Sequence, residues 1–514
     1  MNTRVAFVLP CPARHYDGAV PRTSGRRTDA PFPQGSYAAA TWSIPSDYGG
    51  MTSALLRRSR TFVEEAGVPV QILTFSATLD VEAMQTTLLE RGELVPGVTL
   101  HNVWEDIRAL PDERVAPQPG AVATVRTQGA PGELVRVEED DDGSSLRELH
   151  FRRDGTLAAV DERRLSGRRV TLYTRDGREG RSWSSVWAVY RKWIDHVLAD
   201  EPAYVVVDSK SLTKFFAALR RPGIYTAHLV HGAHLTAGAT DPHGPLSRTR
   251  VPLVQHVDDY DAVVFLTEGQ RRDVLDRVGE RDNTFVVPNS TDLPSHTTTA
   301  RPDRLRGAML ASLNGRKRVP HAIRGVQRAA ARTGLDVTLD VYGDGPDRDK
   351  LTRLAKKVPG VTMHGYVRGA ADRLADASFL LLTSRAEGLP LVFAEAMARG
   401  CVPIAYDIRY GPADIITDGV DGFLVPQGDI DALAATIERF VTLDDAAMES
   451  MRRAAMDTAQ KYSAPAVVSQ WAGVFADIER RRPRPASAPA ATSSPDADRS
   501  LVRRVAGMLR RAPR

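Results

Sequence analysis

The chain has 514 residues, of which 42% are hydrophobic. It is too long to fold around one ordinary hydrophobic core, and it has enough hydrophobic residues to fill two. Its 68 basic and 64 acidic residues leave a net charge of +4, without a basic stripe interleaved with aromatic residues, which argues against nucleic-acid binding. Two cysteines, Cys11 and Cys401, are too few for a disulfide scaffold and are expected to be reduced thiols in a cytoplasmic protein. The lack of a visible signal peptide or long apolar run predicts a soluble body.

The first 97 residues predict the beginning of a doubly wound α/β domain. Residues 5–9 (VAFVL) are typical of a buried strand, and residues 10–48, rich in Pro, Gly, Ser and Arg, predict a long surface loop. Gly49 and Gly50 then precede a helical pattern, which is followed by a second apolar strand over residues 70–75. Strand, glycine loop, helix and strand in this order are typical of a Rossmann-like domain.

The sequence pattern changes between residues 98 and 185. Short segments of alternating polar and apolar residues, such as ELVRVEE and RRVTLYTRDG, are separated by Asp-Gly turns. Alternation with such turns predicts antiparallel hairpins, so we expect a β-meander inserted into the first domain. Its exposed sheet edges favour self-association into a homo-oligomer, and a purely decorative insertion is the alternative.

Residues 186–292 return to helical and parallel-strand spacing and form the second part of the first domain. A strand ends at Asp208, and the next one runs into His231-Gly-Ala-His234. Ligands of open α/β sheets bind beyond the carboxyl ends of strands, where we expect His231 and His234 to lie. A histidine there can donate to a sugar hydroxyl or polarise a reaction centre, although the residues alone are equally compatible with a structural role.

Residues 293–462 predict a second Rossmann-like domain after a polar linker. Its first strand leads into a cationic turn that contains Arg316 and Lys317, and a later strand ends before Gly343, where the backbone could approach a ligand. Two cations at such a turn could stabilise the negative charge that grows on a departing diphosphate. A solvated turn explains the same charges equally well.

A strand, a loop and a helix start follow one another around residues 379–399. The apolar run FLLL precedes a loop with Glu387, Gly388, Leu389 and Pro390, after which helical spacing continues through Glu395. A helix start presents unpaired backbone N–H groups, which suit a phosphate. Two carboxylates just over two helical turns apart can face one ligand, although acidic residues also occur there as helix caps.

The chain is predicted to end with a helix and a tail. Residues 463–481 have helical spacing and are expected to pack back on the first domain, whereas residues 482–514, rich in Pro, Ala and Ser, predict a disordered segment. The final RSLVRRVAGMLRRAPR places apolar residues on one helical face and arginines opposite. This end could contact an anionic membrane weakly, or it could be a solvated basic tail.

Residues 383–426, and above all YDIRYGPADIITDGVDGFLV, resemble a known donor site. The resemblance is to retaining E-x7-E glycosyltransferases of the two-domain glycosyltransferase-B fold, in the branch of poly(glycerol-phosphate) alpha-glucosyltransferases and accessory-secretion glycosyltransferases. It covers roughly 170 residues of the C-terminal half. It implies metal-independent transfer, without a cofactor, of a hexose or N-acetylhexosamine from a nucleotide diphosphate sugar, such as a UDP-sugar. The acceptor would be a cell-envelope polymer, such as teichoic acid, or a protein.

The resemblance also implies roles for individual residues and a metal-free site. The residues expected to act in catalysis are His231 and Glu387. Those expected to bind the donor are Lys317, Arg316, Gly343, Tyr366, Gly388, Leu389 and Glu395. Those expected on the acceptor side are Gly49, Gly50 and His234. One position departs from the family pattern, because Ser312 stands where an arginine is usual and Arg316 would have to supply the missing charge.

Two other functions fit the same architecture. A sugar-nucleotide epimerase would share the phosphate-binding turns but needs no separate acceptor. A catalytically silent subunit that binds a glycopolymer is compatible with the Ser312 departure. A glycosyltransferase of this branch would work in the cytoplasm, with a peripheral position at the inner membrane face if the C-terminal tail binds lipid.

Overall fold

The computed structural model describes residues 31–115, 127–140, 145–164, 167–199, 202–236, 239, 241–294 and 303–482. The predicted strand at residues 5–9 and the predicted tail beyond residue 482 lie outside these residues. The strands are β1 (Ser36–Thr41), β2 (Val70–Thr74), β3 (Val98–Asn102), β4 (Val135–Glu139), β5 (Ser145–Phe151), β6 (Leu157–Arg164), β7 (Gly167–Tyr173), β8 (Glu179–Trp183), β9 (Ala203–Val207), β10 (Ile224–Val230), β11 (Ala262–Phe265), β12 (Thr284–Val286), β13 (Arg306–Leu310), β14 (Thr338–Tyr342), β15 (Val361–Gly365), β16 (Phe379–Leu382), β17 (Val402–Asp407) and β18 (Phe423–Pro426).

The α-helices lie mainly between the parallel strands. They are α1 (Gly50–Ala66), α2 (Val81–Glu90), α3 (Val103–Arg108), α4 (Asp112–Val115), α5 (Val186–Val197), α6 (Thr213–Ala217), α7 (Val251–Gln255), α8 (Glu268–Val278), α9 (Val319–Thr333), α10 (Arg348–Ala355), α11 (Leu391–Met397), α12 (Pro412–Ile415), α13 (Ile430–Val441), α14 (Asp445–Ala459) and α15 (Ala464–Arg481).

Two parallel sheets form the cores of two Rossmann-like domains. The first has seven strands in the order β12-β11-β10-β9-β1-β2-β3, and the second has six in the order β15-β14-β13-β16-β17-β18. Every residue of the central strands β9 (AYVVV) and β10 (IYTAHLV) is buried, as expected of parallel strands that are covered by helices on both faces. The predicted fold class is confirmed.

The third sheet is the inserted β-meander. Its five strands are antiparallel in the order β4-β5-β6-β7-β8. The insertion packs on the first domain through His150 of β5, whose ring stacks on Trp104 of α3 at 3.7 Å between centroids. On the edge strand β4, the side chain of Val137 is 61% exposed. Self-association through this sheet stays a prediction.

The structure corrects the start of the first domain. Residues 36–41 were predicted to lie in a surface loop, yet they form β1, which pairs in parallel with β2 on one side and β9 on the other. The sequence SYAAAT has no run of large apolar residues, which is why the strand was missed. Its burial comes from two neighbouring strands and the helices above them, and small side chains suit that crowded position.

The structure also moves the boundary of the insertion. β3, which was assigned to the meander, pairs in parallel with β2 and is the edge of the first sheet. Its residues VTLHN alternate between buried and more exposed positions because one face of the strand is less covered than the other, so the pattern resembles that of an antiparallel strand. The antiparallel sheet itself begins at Val135.

The long C-terminal helix α15 returns from the second domain to the first. Phe475 packs against Tyr37 and Tyr204, with ring centroids 5.3 and 5.2 Å apart, and Tyr204 donates a hydrogen bond of 2.5 Å to Glu479. Just before this helix, the carbonyl of Tyr462 accepts a hydrogen bond of 2.8 Å from the amide of Thr291 in the interdomain linker. The two places where the chain passes between the domains are therefore joined.

No helix within the described ranges is both long enough and apolar enough to cross a lipid bilayer.

We expect Phe475→Ala to destabilise the fold strongly, because it removes a buried aromatic ring that joins α15 to the first sheet. The cost for such a truncation is about 3–5 kcal/mol. Gln470→Ala, on the exposed face of the same helix, is the matched control and should change stability by less than about 0.5 kcal/mol. Denaturant unfolding of both variants measures the difference, and equal midpoints would show that the packing of α15 adds little.

Candidate active site

A cavity of about 900 Å³ lies between the two domains, at the carboxyl ends of their parallel strands. The first domain contributes His231, which directly follows β10, together with Gly50 at the start of α1. The second domain contributes the loops that follow β13 and β16. Their cavity-lining residues include Ser312, Arg316, Lys317, Glu387, Gly388 and Leu389. Both walls are therefore built from the loops in which nucleotide-binding sheets hold their ligands.

Glu387 joins the two cations of the second domain. Its carboxylate accepts a hydrogen bond of 2.6 Å from Lys317 Nζ and one of 3.0 Å from Arg316 Nη1. Burial acts to raise the pKa of Glu387, but the charges of Lys317 and Arg316 outweigh it and hold that pKa below its usual value. The group is therefore ionised at neutral pH, and the cluster keeps a net positive charge that suits an anionic ligand.

The two loops of the second-domain wall are tied together. Thr383 donates to the carbonyls of Lys317 and Arg318 at 3.0 Å each, and the amide of Arg385 donates to the carbonyl of Arg316 at 2.9 Å. The charged cluster consequently rests on an ordered backbone. Arg316 lies four positions after Ser312 and contacts Glu387, so two cations are present at this wall despite the Ser312 departure.

His231 is held by a buried ion pair that the sequence did not reveal. Its Nε2 lies 2.6 Å from the carboxylate of Asp208, and Asp208 accepts two further hydrogen bonds, of 2.9 and 2.6 Å, from Arg58 of α1. Because a carboxylate only accepts, Nε2 carries the proton and Nδ1 is left as the accepting atom of the ring. The Arg58 guanidinium also lies 5.6 Å from the ring centre of Trp471 in α15.

Burial sets the charge state of this arrangement. It lowers the pKa of His231, and hydrogen bonding to Asp208 offsets only part of that effect, so the imidazole is neutral at neutral pH. Burial would raise the pKa of Asp208, but Arg58 and His231 together bring it below its ordinary value. In the sequence, Asp208 is recognisable only as the end of a strand. Its position beside His231 on the next strand of the same sheet was the available signal.

At Gly388 the loops of the two domains are in close contact. A Cβ atom at this position would collide with the backbone carbonyl of His231 and with Gly232. The missing side chain therefore allows the loops of the two domains to touch, which adds to the expected role in ligand approach. The loop with Glu387 and the histidine loop are thereby held next to each other.

Three residues expected to bind the donor do not line this cavity. Glu395 is half-buried on α11, where burial raises its pKa against the opposing charges of Arg57 and Arg399. Gly343 adopts φ 145° and packs under the backbone of Ala311. Tyr366 is 76% exposed. Their roles in donor binding stay predictions.

The expectations for the acceptor side divide. Gly50 lines the cavity, and Gly49 caps α1 without lining it. His234 is fully buried, with its ring stacked on Tyr410 at 5.7 Å, and it does not line the cavity, so its role on the acceptor side stays a prediction. The His-x-x-His spacing in the sequence gives no sign of this burial.

A second contact between the domains lies beside His234. Asp273 of α8 accepts hydrogen bonds from Arg409 and from the hydroxyl of Tyr410, the latter at 2.5 Å. Nearby, the amide of Gly269 donates to Asp414 at 2.7 Å. None of these contacts was predicted, since they join residues far apart in the chain.

Among the described residues, no group of three or more His, Cys, Asp or Glu side chains is arranged to hold a metal ion.

Comparison with known proteins identifies the second domain. Residues 306–442 match the family model described as glycosyl transferases group 1. The chain is 22% identical to the poly(glycerol-phosphate) alpha-glucosyltransferase of Bacillus subtilis (strain 168) over 509 residues, which cover 86% of this chain and 75% of that protein. Two further relatives match over shorter stretches, so that this chain spans 25% and 48% of their lengths.

Solved structures resemble the chain over most of its length. A mutant of S. aureus TarM in complex with Fondaparinux, alpha-GlcNAc-glycerol and UDP matches with a TM-score of 0.65 and 17% identity, covering 86% of this chain and 100% of that one. The pneumococcal O-GlcNAc transferase GtfA in complex with UDP and GlcNAc gives 0.61 and 14%, covering 86% and 99%. At such identities the likeness concerns the fold.

Two Rossmann-like domains that face each other across a cavity define the glycosyltransferase-B fold. The match of residues 306–442 to the glycosyl transferases group 1 model confirms the predicted family resemblance for the second domain.

We expect the fold to lose stability in mild acid, partly because of His234. Burial lowers the pKa of His234 to about 4, so below the ordinary value of 6.5 the unfolded chain binds a proton that the folded chain does not. The loss begins near pH 6.5, grows as the pH falls and levels off below about 4. Between pH 6.5 and 5 it amounts to about 2 kcal/mol for this ring.

Melting temperatures at pH 7 and pH 5 test this expectation. His234→Phe keeps an aromatic ring on Tyr410 and should shrink the difference between the two temperatures. His243→Gln, at an exposed position, should leave the difference as in the original chain. The idea fails if His234→Phe and the original chain lose the same number of degrees.

Proposed function

We propose that this chain is a retaining glycosyltransferase that moves a hexose or N-acetylhexosamine from a UDP-sugar to a cell-envelope polymer or protein. The observation that carries the proposal is the cluster of Lys317, Arg316 and Glu387, which shares one interdomain cavity with the neutral imidazole of His231. The relatives support the substrate class. One is a poly(glycerol-phosphate) alpha-glucosyltransferase, and two structural neighbours were solved with UDP.

In this proposal the cations bind the diphosphate of the donor. As the bond between the sugar C1 and the phosphate oxygen breaks, negative charge grows on the departing phosphate. Lys317 and Arg316 stabilise that charge more strongly than they stabilise the intact donor, which lowers the barrier. Glu387 holds both cations in place and orients the sugar or the phosphate. No metal ion is required for this role.

His231 acts at the reaction centre. With Nε2–H donated to Asp208, the Nδ1 atom can accept a hydrogen bond from a sugar hydroxyl. Asp208 and Arg58 keep the ring in this tautomer and orientation. They are positioning residues, because neither lines the cavity.

Retention follows if the acceptor attacks the face from which the leaving group departs. The acceptor oxygen forms its bond to C1 while the bond from C1 to the phosphate oxygen breaks. The proton of the acceptor hydroxyl passes to an oxygen of the departing phosphate, and UDP leaves. The nucleotide sugar is a co-substrate, so the reaction needs no cofactor. Reaction in the cytoplasm, near lipid-linked acceptors, accords with this donor.

Product analysis tests the proposal. UDP-glucose and UDP-N-acetylglucosamine are incubated with the chain, with and without poly(glycerol phosphate), and the products are examined by NMR. We expect an acceptor-dependent glycoside with the anomeric configuration of the donor. An inverted anomer would contradict retention, and an epimerised donor without acceptor would indicate an epimerase. Donor binding without any turnover would indicate a silent binding subunit.

Lys317→Ala should weaken donor binding about 10- to 150-fold, since it removes a charge-assisted hydrogen bond to the diphosphate worth about 1.5–3 kcal/mol. The shift in melting temperature with increasing UDP-sugar measures this affinity. Lys461→Ala removes the same charge from an exposed position and should bind the donor normally. Equal donor affinities for the two variants would show that Lys317 does not bind the donor.

Asp208→Asn should lower turnover about 100-fold, because the amide can hold His231 in the wrong tautomer and no longer neutralises Arg58. Donor affinity should change little, since Asp208 does not line the cavity. Asp276→Asn, on the exposed face of α8, is the control. A parallel loss of donor affinity and turnover would point to misfolding rather than to positioning, and circular dichroism of the variant distinguishes the two.

A further inference from the structure

A second groove, of about 800 Å³, lies on the other side of the loop that carries Arg316 and Lys317. It is formed by this loop, the start of α9 and the length of α10. Six cationic side chains of these elements and of the two residues after α10 line it: Arg318, Arg324, Lys350, Arg353, Lys356 and Lys357. Arg385, from the loop after β16, is a seventh, whereas Asp347 is the one carboxylate among its described lining residues.

These cations have no ion-pair partners in the part of the chain that the structure describes. Within the described ranges, none of the seven forms an ion pair, whereas arginines close by do so, such as Arg328 and Arg332 with Asp431 and Arg348 with Asp344. One nitrogen of Arg318, Nη1, is buried without a hydrogen-bond partner. Like charges that converge without counterions repel one another, and an anionic ligand removes that cost.

The positive potential also acts on neighbouring groups. Burial lowers the pKa of His321, and the charges of Arg318, Arg324 and Arg385 lower it further. The ring of His321 is meanwhile fixed by a contact of 2.9 Å with the Tyr406 hydroxyl. The groove thus has an ordered wall as well as a concentration of charge.

We propose that this groove binds a linear polymer of repeating phosphodiesters and holds it beside the active site. Several phosphates along one chain can pair with several cations at once, and arginine and lysine are the side chains suited to them. Leu351, Leu354 and Pro320 supply apolar surface for the carbon atoms between the phosphates. A concave groove fits an extended chain, whereas a membrane presents a plane of lipid headgroups.

The position of the groove gives the polymer a role in the reaction. Arg318 follows Lys317 directly, and Arg385 is two residues before Glu387, so both walls of the groove continue into walls of the active-site cavity. A chain bound in the groove has its neighbouring repeats at the cavity. The assignment of the polymer as the acceptor rests on the proposed glycosyltransferase function, but its binding does not.

The test uses a triple variant and a matched control. Lys350→Gln, Lys356→Gln and Lys357→Gln together remove three charges from the groove, and Lys192→Gln, Lys214→Gln and Lys461→Gln remove three from exposed positions elsewhere. Titration calorimetry measures the affinity of each for poly(glycerol phosphate). We expect the groove variant to bind at least about tenfold more weakly, with a smaller dependence on salt, and the control to bind nearly as the original chain does.

Two further measurements separate this inference from the proposed function. The UDP-sugar melting shift and the transfer rate to a single glycerol phosphate unit should be the same in the groove variant and the original chain. Equal polymer affinities for the groove variant and the control overturn the inference. The inference is also overturned if the groove variant loses binding to phosphatidylglycerol vesicles but keeps its affinity for the polymer. If polymer binding depends on the groove but no sugar is transferred, the groove is a polymer-binding site and the proposed function is wrong.

Discussion

The first domain's side of the active site depends on one buried charge, the carboxylate of Asp208. It is fully enclosed, and such a group is tolerated only because Arg58 neutralises it with two hydrogen bonds and His231 donates a third. The three residues stand on α1, at the end of β9 and after β10, and Trp471 of α15 covers Arg58. One electrostatic requirement thus fixes a helix, two strands and a histidine relative to one another.

The second domain also depends on charged side chains, which lie on both sides of its cationic loop. On one side of its cationic loop, Arg316 and Lys317 are held by Glu387 and keep a modest positive charge within the cavity. On the other side, Arg318 and the cations beside it form no ion pair in the described structure. A single short loop therefore separates two cationic sites. In the first, the cations are paired with Glu387, which suits a small diphosphate. In the second, the cations are unpaired within the described residues, which suits a larger polyanion.

Much of this architecture can be predicted from local pattern. The buried strands around residues 204–207 and 379–382, the hairpin alternation of the insertion and the turn with Glu387 all have signals within a few residues. β1 lacked such a signal, because its small side chains are buried by neighbouring strands rather than by their own hydrophobicity. The pairing of Arg58 with Asp208 spans 150 positions, and such a contact depends on the completed sheet.

The chain passes between the domains twice, and the hydrogen bond from Thr291 to Tyr462 fastens the two passages side by side. Because the two passages are fastened at one place, a displacement of one domain relative to the other acts on both passages together. The domains touch again at Gly388, whose missing side chain leaves room for the backbone of His231, so the interdomain cavity is bordered by contacts from two different parts of the chain.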